Sequence, residues 1–482
     1  MAGLSAIYPE LVMIVVAIAI PAIYYATKSH KILSTVSLVG IAASMGIVVQ
    51  FLFDGAQADT LEGGLLRLDA FSALFQLIFL IVAFYVILAS YKYVQGERHI
   101  AEYHTLIMMA TVGMMIVASS LDLITLFVGL ELASLSTYAL VGFRKKDKKG
   151  AEAATKYFII GAISSAISLY GISLLYGLTG STMFTDIGAL VGGMAGMDPV
   201  VLLALALLIA GFGFKVAIVP FHMWAPDVYE GAPTTVTSLL AASSKKMGFV
   251  ALFKIFLIGL IAIRVEWQLV IAIISVATMV IGNLIAISQT NIKRMLAYSS
   301  IAQAGYILMV LPIGTEYALA GGIFHIITHA FMKGGAFIIV ATLSTVAIGE
   351  TLSDYKGLAK RSPLMAFSMT VLLFSLAGIP PLAGFASKFV LFSSAVDASI
   401  MPADNWMIWL AVAGVLNSAL SLFYYVRVIK YIYVDKGPTE RTRLPNTMVA
   451  AVLITVIATI VIGLYPVPVI DACNAAARAF FP

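Results

Sequence analysis

Apolar residues run through the chain in long blocks, broken by short polar punctuation, and most blocks are long enough to cross a bilayer. A hydrocarbon core of about 30 Å takes roughly 20 residues of helix. On that measure the pattern predicts fourteen spans, near 8–27, 32–53, 70–91, 103–120, 122–143, 152–178 and 199–221, then 233–260, 267–288, 296–313, 317–346, 364–396, 405–426 and 446–467. Several exceed the minimum, which implies tilt or breaks. The first block follows Glu10 at once, without a basic flank or a convincing cleavage site, and reads as a retained span. The fold class is all-α, polytopic and membrane-embedded.

Composition sharpens this picture. Of 482 residues, 61% are hydrophobic and only 11% are charged, with a mean hydropathy of +1.02. So few charges could not cover soluble domains, and so apolar a chain is neither disordered nor peripheral. The net charge of +5 is a weak guide to partners, and no basic stretch interleaves aromatics, so nucleic acid is not expected. A single cysteine, Cys473, forbids an internal disulfide and any cysteine-ligated cluster.

Basic residues test the span count, because they concentrate in cytoplasmic loops. With the N-terminus outside, nineteen Lys and Arg fall in inner loops, including the run Arg144, Lys145, Lys146, Lys148 and Lys149. Only Arg67, Arg264 and Arg478 fall outside, where Asp54, Asp59, Glu62, Asp186, Asp198, Asp397 and Asp404 gather. Fourteen spans with both termini outside follow, in a prokaryotic cytoplasmic membrane.

Seven basic residues remain within spans: Lys156, Lys215, Lys245, Lys246, Lys254, Lys333 and Lys388. All are lysines. Arginine stays protonated in any protein environment, whereas a desolvated lysine can release its proton. Each such charge costs ~3 kcal/mol on insertion scales and must face protein or water. Among the 24 carboxylates, only Glu131 lies deep in an expected span. His325, His329 and Lys333 recur at i, i+4 and i+8, one stripe of a helix. Two histidines so spaced could ligate a metal, but no third ligand type accompanies them, and a proton relay fits better. His222 closes the seventh span and fits a helix cap as well as a proton carrier. Lys254 reads more readily as a snorkelling or paired residue, and Lys246 points away from Lys245.

Two segments share the pattern A-G-F-x-x-K: Ala210-Gly211-Phe212-Gly213-Phe214-Lys215 and Ala383-Gly384-Phe385-Ala386-Ser387-Lys388. They fall in spans seven and twelve, an odd number of spans apart, which gives the two units opposite topology and marks an inverted repeat. Gly211, Gly213 and Pro220 surround the first lysine; Gly378, Pro380, Pro381 and Gly384 precede the second. Proline and glycine weaken helical hydrogen bonding, so each half is expected to hold a discontinuous helix beside a lysine. The expected units are 1–102 (spans one to three), 103–262 (first repeat), 263–434 (second repeat) and 435–482 (last span and tail).

At these residues the chain resembles the antiporter-like subunits of respiratory complex I, most closely the N-type subunit, with the archaeal deazaflavin-dehydrogenase version among the candidates. The stretches that carry the likeness are 224–234 (WAPDVYEGAPT), 282–284 (GNL), 291–300 (NIKRMLAYSS), 378–385 (GIPPLAGF) and 423–428 (FYYVRV). The resemblance implies two half-channels joined by a central polar axis. It assigns proton translocation to Glu131, Lys215, Lys245 and Lys388, and relay roles to Lys156, His222, His325, His329 and Lys333. The His325/His329/Lys333 stripe looks more like L- and M-type subunits. It also implies that redox chemistry, with flavin, iron–sulfur clusters and a lipid-soluble acceptor, belongs to partner subunits in a peripheral arm. No cofactor is expected in this chain. Other antiporter-like and small membrane subunits would be its neighbours in the bilayer. Two rival readings stay open: a subunit of a multi-subunit cation/proton antiporter, and a membrane scaffold that transports nothing.

Overall fold

The computed structural model describes residues 3–61, 63–194 and 198–481, so Glu62, expected among the outer acidic residues, lies outside the described residues. Among the described residues, twelve helices are long and apolar enough to cross a membrane, and they coincide with twelve of the fourteen expected spans. The other two, the eighth and twelfth, are helical but interrupted.

The eighth begins as Thr234–Leu239, widens into a π turn over Leu240–Ser244, continues as Lys245–Lys254 and widens again over Ile255–Gly259. Single π turns inside helices often lie at functional sites, and here the first one directly precedes Lys245. The twelfth is split into Pro363–Ala377 and Ala383–Ala398. Two short helices, Phe184–Gly192 and Val467–Arg478, and a hairpin of Asp59–Thr60 with Arg67–Leu68 were not expected, being too short to register as spans.

Both expected breaks are present. The Pro199–Val216 helix stops at Ala217, whose φ of 52° is left-handed, and the chain resumes helix at Trp224–Gly231. The Pro363–Ala377 helix stops at Gly378, φ 90°, where glycine alone meets no steric penalty. Each break contains a cis X–Pro bond, Val219–Pro220 or Pro380–Pro381. The lysines, however, sit on opposite sides of their breaks. Lys215 is in the last turn before the first, and Lys388 is in the helix after the second. The six-residue match is therefore out of register with the breaks the two halves share.

A better trace of the repeat is the close approach of helix pairs. A Cβ added to Gly113 would lie 2.5 Å from the backbone nitrogen of Ala133, and one added to Gly282 would lie 2.7 Å from that of Ala302. The glycine and its partner have the same spacing in both halves. These contacts lock Ile100–Ser119 to Leu123–Val141 and Arg264–Ser288 to Ile292–Leu308. Asp122 caps the second of these helices through Ile124 and Thr125, and Asn291 caps the fourth through Lys293 and Arg294.

The spans differ in what covers them. Ile292–Ile313 and Glu316–Ser344 are enclosed by protein, whereas in Leu4–Thr27, Pro402–Tyr433 and Asn446–Leu464 only about a third of the residues are buried. Polar side chains on the enclosed pair face protein, which satisfies the requirement for a charge inside a bilayer.

Candidate functional site

Most of the intramembrane lysines expected to carry protons lie in three hydrogen-bonded groups. In the first half, the Lys215 ammonium lies 3.6 Å from Glu131 Oε1 and donates to Ser134 Oγ at 2.7 Å and to Tyr138 OH at 3.3 Å. Ser165 Oγ donates to Glu131 Oε1 at 2.6 Å. Ser134 is one turn beyond Glu131 on the same helix, so the two present one polar face to the lysine. Tyr157 packs edge-on against Tyr138 and stacks on Trp224, and Trp224 Nε1 donates 3.0 Å to the carbonyl of Phe214. The chain after the break is thereby tied to the turn that carries Lys215.

The middle group forms where two lysines approach adjacent serines of the enclosed Ile292–Leu308 helix. Lys245 Nζ donates 3.5 Å to Ser300 Oγ and lies over the Tyr229 ring. Lys333 Nζ donates to Ser299 Oγ and, at 3.4 Å, to the carbonyl of Leu296. Lys246 is fully buried beside them, and its Nζ has no hydrogen-bond partner among the described residues. Lys246, expected to point elsewhere on the helix than Lys245, lies near enough to Lys333 and His329 for their charges to interact.

The third group surrounds the second break. His325 bonds through Nδ1 to Ser387 Oγ at 3.0 Å and through Nε2 to Gln303 Oε1 at 2.9 Å. Gln303 Nε2 donates 3.1 Å to the carbonyl of Leu376, and Lys388 Nζ donates 2.8 Å to the same oxygen. Lys388 also reaches Ala377 O and Ser418 Oγ. These two carbonyls end the Pro363–Ala377 helix, where unsatisfied oxygens and the helix dipole attract a cation. Lys215 faces a carboxylate, and Lys388 faces a helix terminus. A cavity of about 490 Å³ opens beside Lys388, lined mainly by Phe385, Phe389, Phe392, Gly378 and Ser418.

Some expected residues stand elsewhere. Lys156 is not part of the Glu131–Lys215 group. Its side chain is 42% exposed and pairs with Glu152 at 2.7 Å and Asp227 at 2.8 Å, because it sits near the start of its helix. Arg294 clamps the other oxygen of Asp227 at 2.8 Å and Glu230 at 2.9 Å. His222 lies beyond the end of its span, inside the break, and neither it nor His329 has a ring-nitrogen partner among the described residues. Glu131 is not the only deep carboxylate: Glu10 is 3% exposed between helices.

Comparison with known proteins decides the family. Residues 120–421 match the family model described as NADH:quinone oxidoreductase/Mrp antiporter, TM. The chain is 46% identical to the F(420)H(2) dehydrogenase subunit N of Methanosarcina mazei, covering 98% of both proteins. It is 40% identical to the NADH-quinone oxidoreductase subunit N of Desulforamulus reducens, over 94% of this chain and 93% of that one. This chain belongs to the subunit N family. Among solved structures, a chain of respiratory complex I from Thermus thermophilus superposes with a TM-score of 0.82 at 31% identity, covering 97% of this chain and 99% of that one. A chain of the Mrp complex from Dietzia superposes with a TM-score of 0.89 at 22% identity, over 99% and 98% of the two chains, a likeness of fold.

Within this membrane-arm subunit, the residues the sequence reading passed over are Ser134, Ser165, Ser299, Ser300, Gln303 and Ser387. Their signal was present, as uncharged polar side chains on helices otherwise built for lipid. It is a weak signal, because a serine or threonine can satisfy itself on its own helix backbone, as Thr342 does.

Proposed function

We propose that Glu131, Lys215, Lys245, Lys333, His325 and Lys388 carry protons through this subunit, driven by electron transfer in partner subunits. Family membership supports the complex I-type setting. The observation that carries the residue assignment is the sharing of Ser299, Ser300 and Gln303 of one enclosed helix among Lys333, Lys245 and the His325–Lys388 group. A scaffold has no use for three buried lysines, Lys245, Lys333 and Lys388, whose hydrogen-bond partners are neutral hydroxyls and carbonyls.

In this reading Glu131 holds the Lys215 ammonium when the pair is close. Separation of the two removes that support, and the proton moves toward Lys245. The Ser300 and Ser299 hydroxyls lie between Lys245 and Lys333, and His325 with Gln303 connects the stripe to Lys388. At Lys388 the proton rests against the carbonyls of Leu376 and Ala377 before release.

Partner subunits would hold the flavin, the iron–sulfur clusters and the site of the lipid-soluble acceptor. The relative at 46% identity favours F(420)H(2) as the electron donor; relatives at 40 to 42% identity named NADH-quinone oxidoreductase subunit N favour NADH as the second reading. The loop charges favour termini on the outer side of the membrane.

Glu131→Gln keeps the shape but removes the charge. In proteoliposomes of the whole complex it should slow acidification by several fold with subunit composition unchanged. Acidification at the parental rate in that variant removes Glu131 from the path. Co-isolation in mild detergent with cation-antiporter subunits, and without flavin and iron–sulfur subunits, would contradict the setting.

A further inference from the structure

A second buried polar site lies away from the axis, where the starts of Tyr8–Thr27 and Ala70–Tyr93 meet the ends of Ile100–Ser119 and Lys245–Lys254. Gln76 Nε2 donates 2.6 Å to Glu10 Oε1 and 2.7 Å to Ser119 Oγ, and Ser119 Oγ donates 3.2 Å to the same carboxyl oxygen. The other oxygen, Glu10 Oε2, is buried with no partner among the described residues. No cation lies within salt-bridge distance of Glu10 among the described residues. Lys254 grips the backbone on both sides of Ser119, donating to Ala118 O and, at 2.6 Å, to Ser120 O, with its Nζ over the Phe71 ring. An expectation of simple snorkelling does not fit a lysine that is 5% exposed.

Place in the chain gives this site a direction. Lys254 is two and a half turns beyond Lys245 on one helix, so it carries the lysine series to one face of the bundle. The Lys156–Asp227–Arg294 clamp lies at the opposite face, because each clamp residue sits at the other end of its span. Residues 54–61 and 63–69 fold over the Glu10 end, with Leu66 bridged to Ser120 and Ser5 bonded to Asp59. The other titratable groups there among the described residues include Tyr8, Asp59 and the Asp69–Arg67 pair at 2.9 Å, whose side chains are 15% and 34% exposed.

We propose that Glu10, Gln76, Ser119 and Lys254 form a second proton-release station at this face, fed from Lys245 and separate from the exit at Lys388. The inference rests on the proton-translocation reading. The Lys254 ammonium gives up one proton and becomes a neutral amine. Glu10 takes it on Oε2, the oxygen without a partner among the described residues, and is left as a neutral carboxylic acid while Gln76 and Ser119 hold Oε1. Glu10 then returns to carboxylate as the proton leaves past Asp59 and Asp69 to water. No bond other than O–H and N–H forms or breaks. A carboxyl inside a bilayer with a free oxygen is expensive to keep for packing alone, since an apolar residue would join the same helices at lower cost.

The test uses the whole complex in proteoliposomes, with turnover-induced infrared difference spectra and protons pumped per electron. Parent should show a protonated-carboxyl carbonyl band that changes with turnover. That band should vanish in Glu10→Gln and stop responding in Lys254→Met. Pumped protons per electron should fall below about half of parent in both variants. Lys254→Arg keeps the carbonyl contacts but cannot give up a proton, so it should fail as Lys254→Met does. A parental band in Glu10→Gln, or a parental proton ratio in Lys254→Arg, overturns the proposal. If Glu131→Gln in the same series pumps at the parental ratio, the axis reading fails; if Glu131→Gln fails and Glu10→Gln does not, only the release station is lost.

Discussion

The buried lysines of this subunit are held by different kinds of partner. Lys215 has a carboxylate, Lys245 and Lys333 have serine hydroxyls, and Lys388 has the carbonyl end of a broken helix. Carbonyl, hydroxyl and amide partners accept a hydrogen bond from an ammonium without fixing its charge as an ion pair would. Gln303 is the residue that joins His325 to the Lys388 group, because its amide spans from the imidazole to the Leu376 carbonyl. Replacing it with leucine keeps volume and removes both links. Gln303→Leu should leave assembly intact and cut protons pumped per electron several fold, read in proteoliposomes against electron transfer in the same sample. Unchanged coupling would take Gln303 out of the relay. At this scale the charged residues were legible in the sequence, since a lysine or glutamate inside an apolar window has no ordinary explanation. Ser299, Ser300 and Gln303 were not, because uncharged polar residues occur in such helices for many reasons. Lys156 was misread for a different reason. A span drawn from hydropathy alone does not say how far its end projects, and Lys156 stands in that projecting end.

Among the elements, the two broken helices set where the lysines can act. Their existence was readable from Gly, Pro and the apolar length, but the register was not. A short sequence match aligned Lys215 with Lys388, whereas the backbone turns left-handed at Ala217 and Gly378, placing the two lysines on opposite sides of their breaks. The eighth helix shows the converse. Nothing in its composition announces the π turn over Leu240–Ser244 before Lys245. Gly378 makes the breaks testable. A Cβ there would meet Lys388 Cδ at 3.2 Å in a backbone conformation that costs an L-residue about 1 kcal/mol or more. Gly378→Ala should lower the thermal midpoint of the detergent-solubilised complex and weaken pumping together. Gly46→Ala, in a regular helix with open space around the added carbon, should do neither. Equal behaviour of the two variants would show that the second break is not strained in the way its geometry requires.

Across the whole molecule, the Lys156–Asp227–Arg294–Glu230 clamp joins the two halves at one face, linking the start of Lys148–Thr179 with the start of Ile292–Leu308. Two of the five sequence stretches that carry the family likeness, 224–234 and 291–300, meet in it. Burial pushes the Asp227 carboxyl up, but the hydrogen bonds and charges of Lys156 and Arg294 outweigh it and hold the group below the ordinary carboxylate range. A depressed folded value means the contribution is present above the unfolded value, about 3.9, and is lost as pH falls through the folded one. Acidification from neutral pH to about 5 should therefore leave the clamp intact. Asp227→Asn should be less thermally stable than parent across that range, with the gap closing only below about pH 4. A gap that closes by pH 6 would mean another group holds the two halves together.

The central claim is that the buried lysines work by exchanging protons rather than by standing as fixed charges, and Lys388 tests it most directly. Arginine preserves the charge, stays protonated throughout the working pH range, and has room in the cavity of about 490 Å³ beside the site. The measurement is protons pumped per electron in proteoliposomes of the whole complex for parent, Lys388→Arg and Lys388→Met. Both variants should lose coupling, with Arg no better than about halfway between Met and parent. Full coupling in Lys388→Arg would show that charge alone suffices there, and Lys388 would be an electrostatic gate instead of a proton donor.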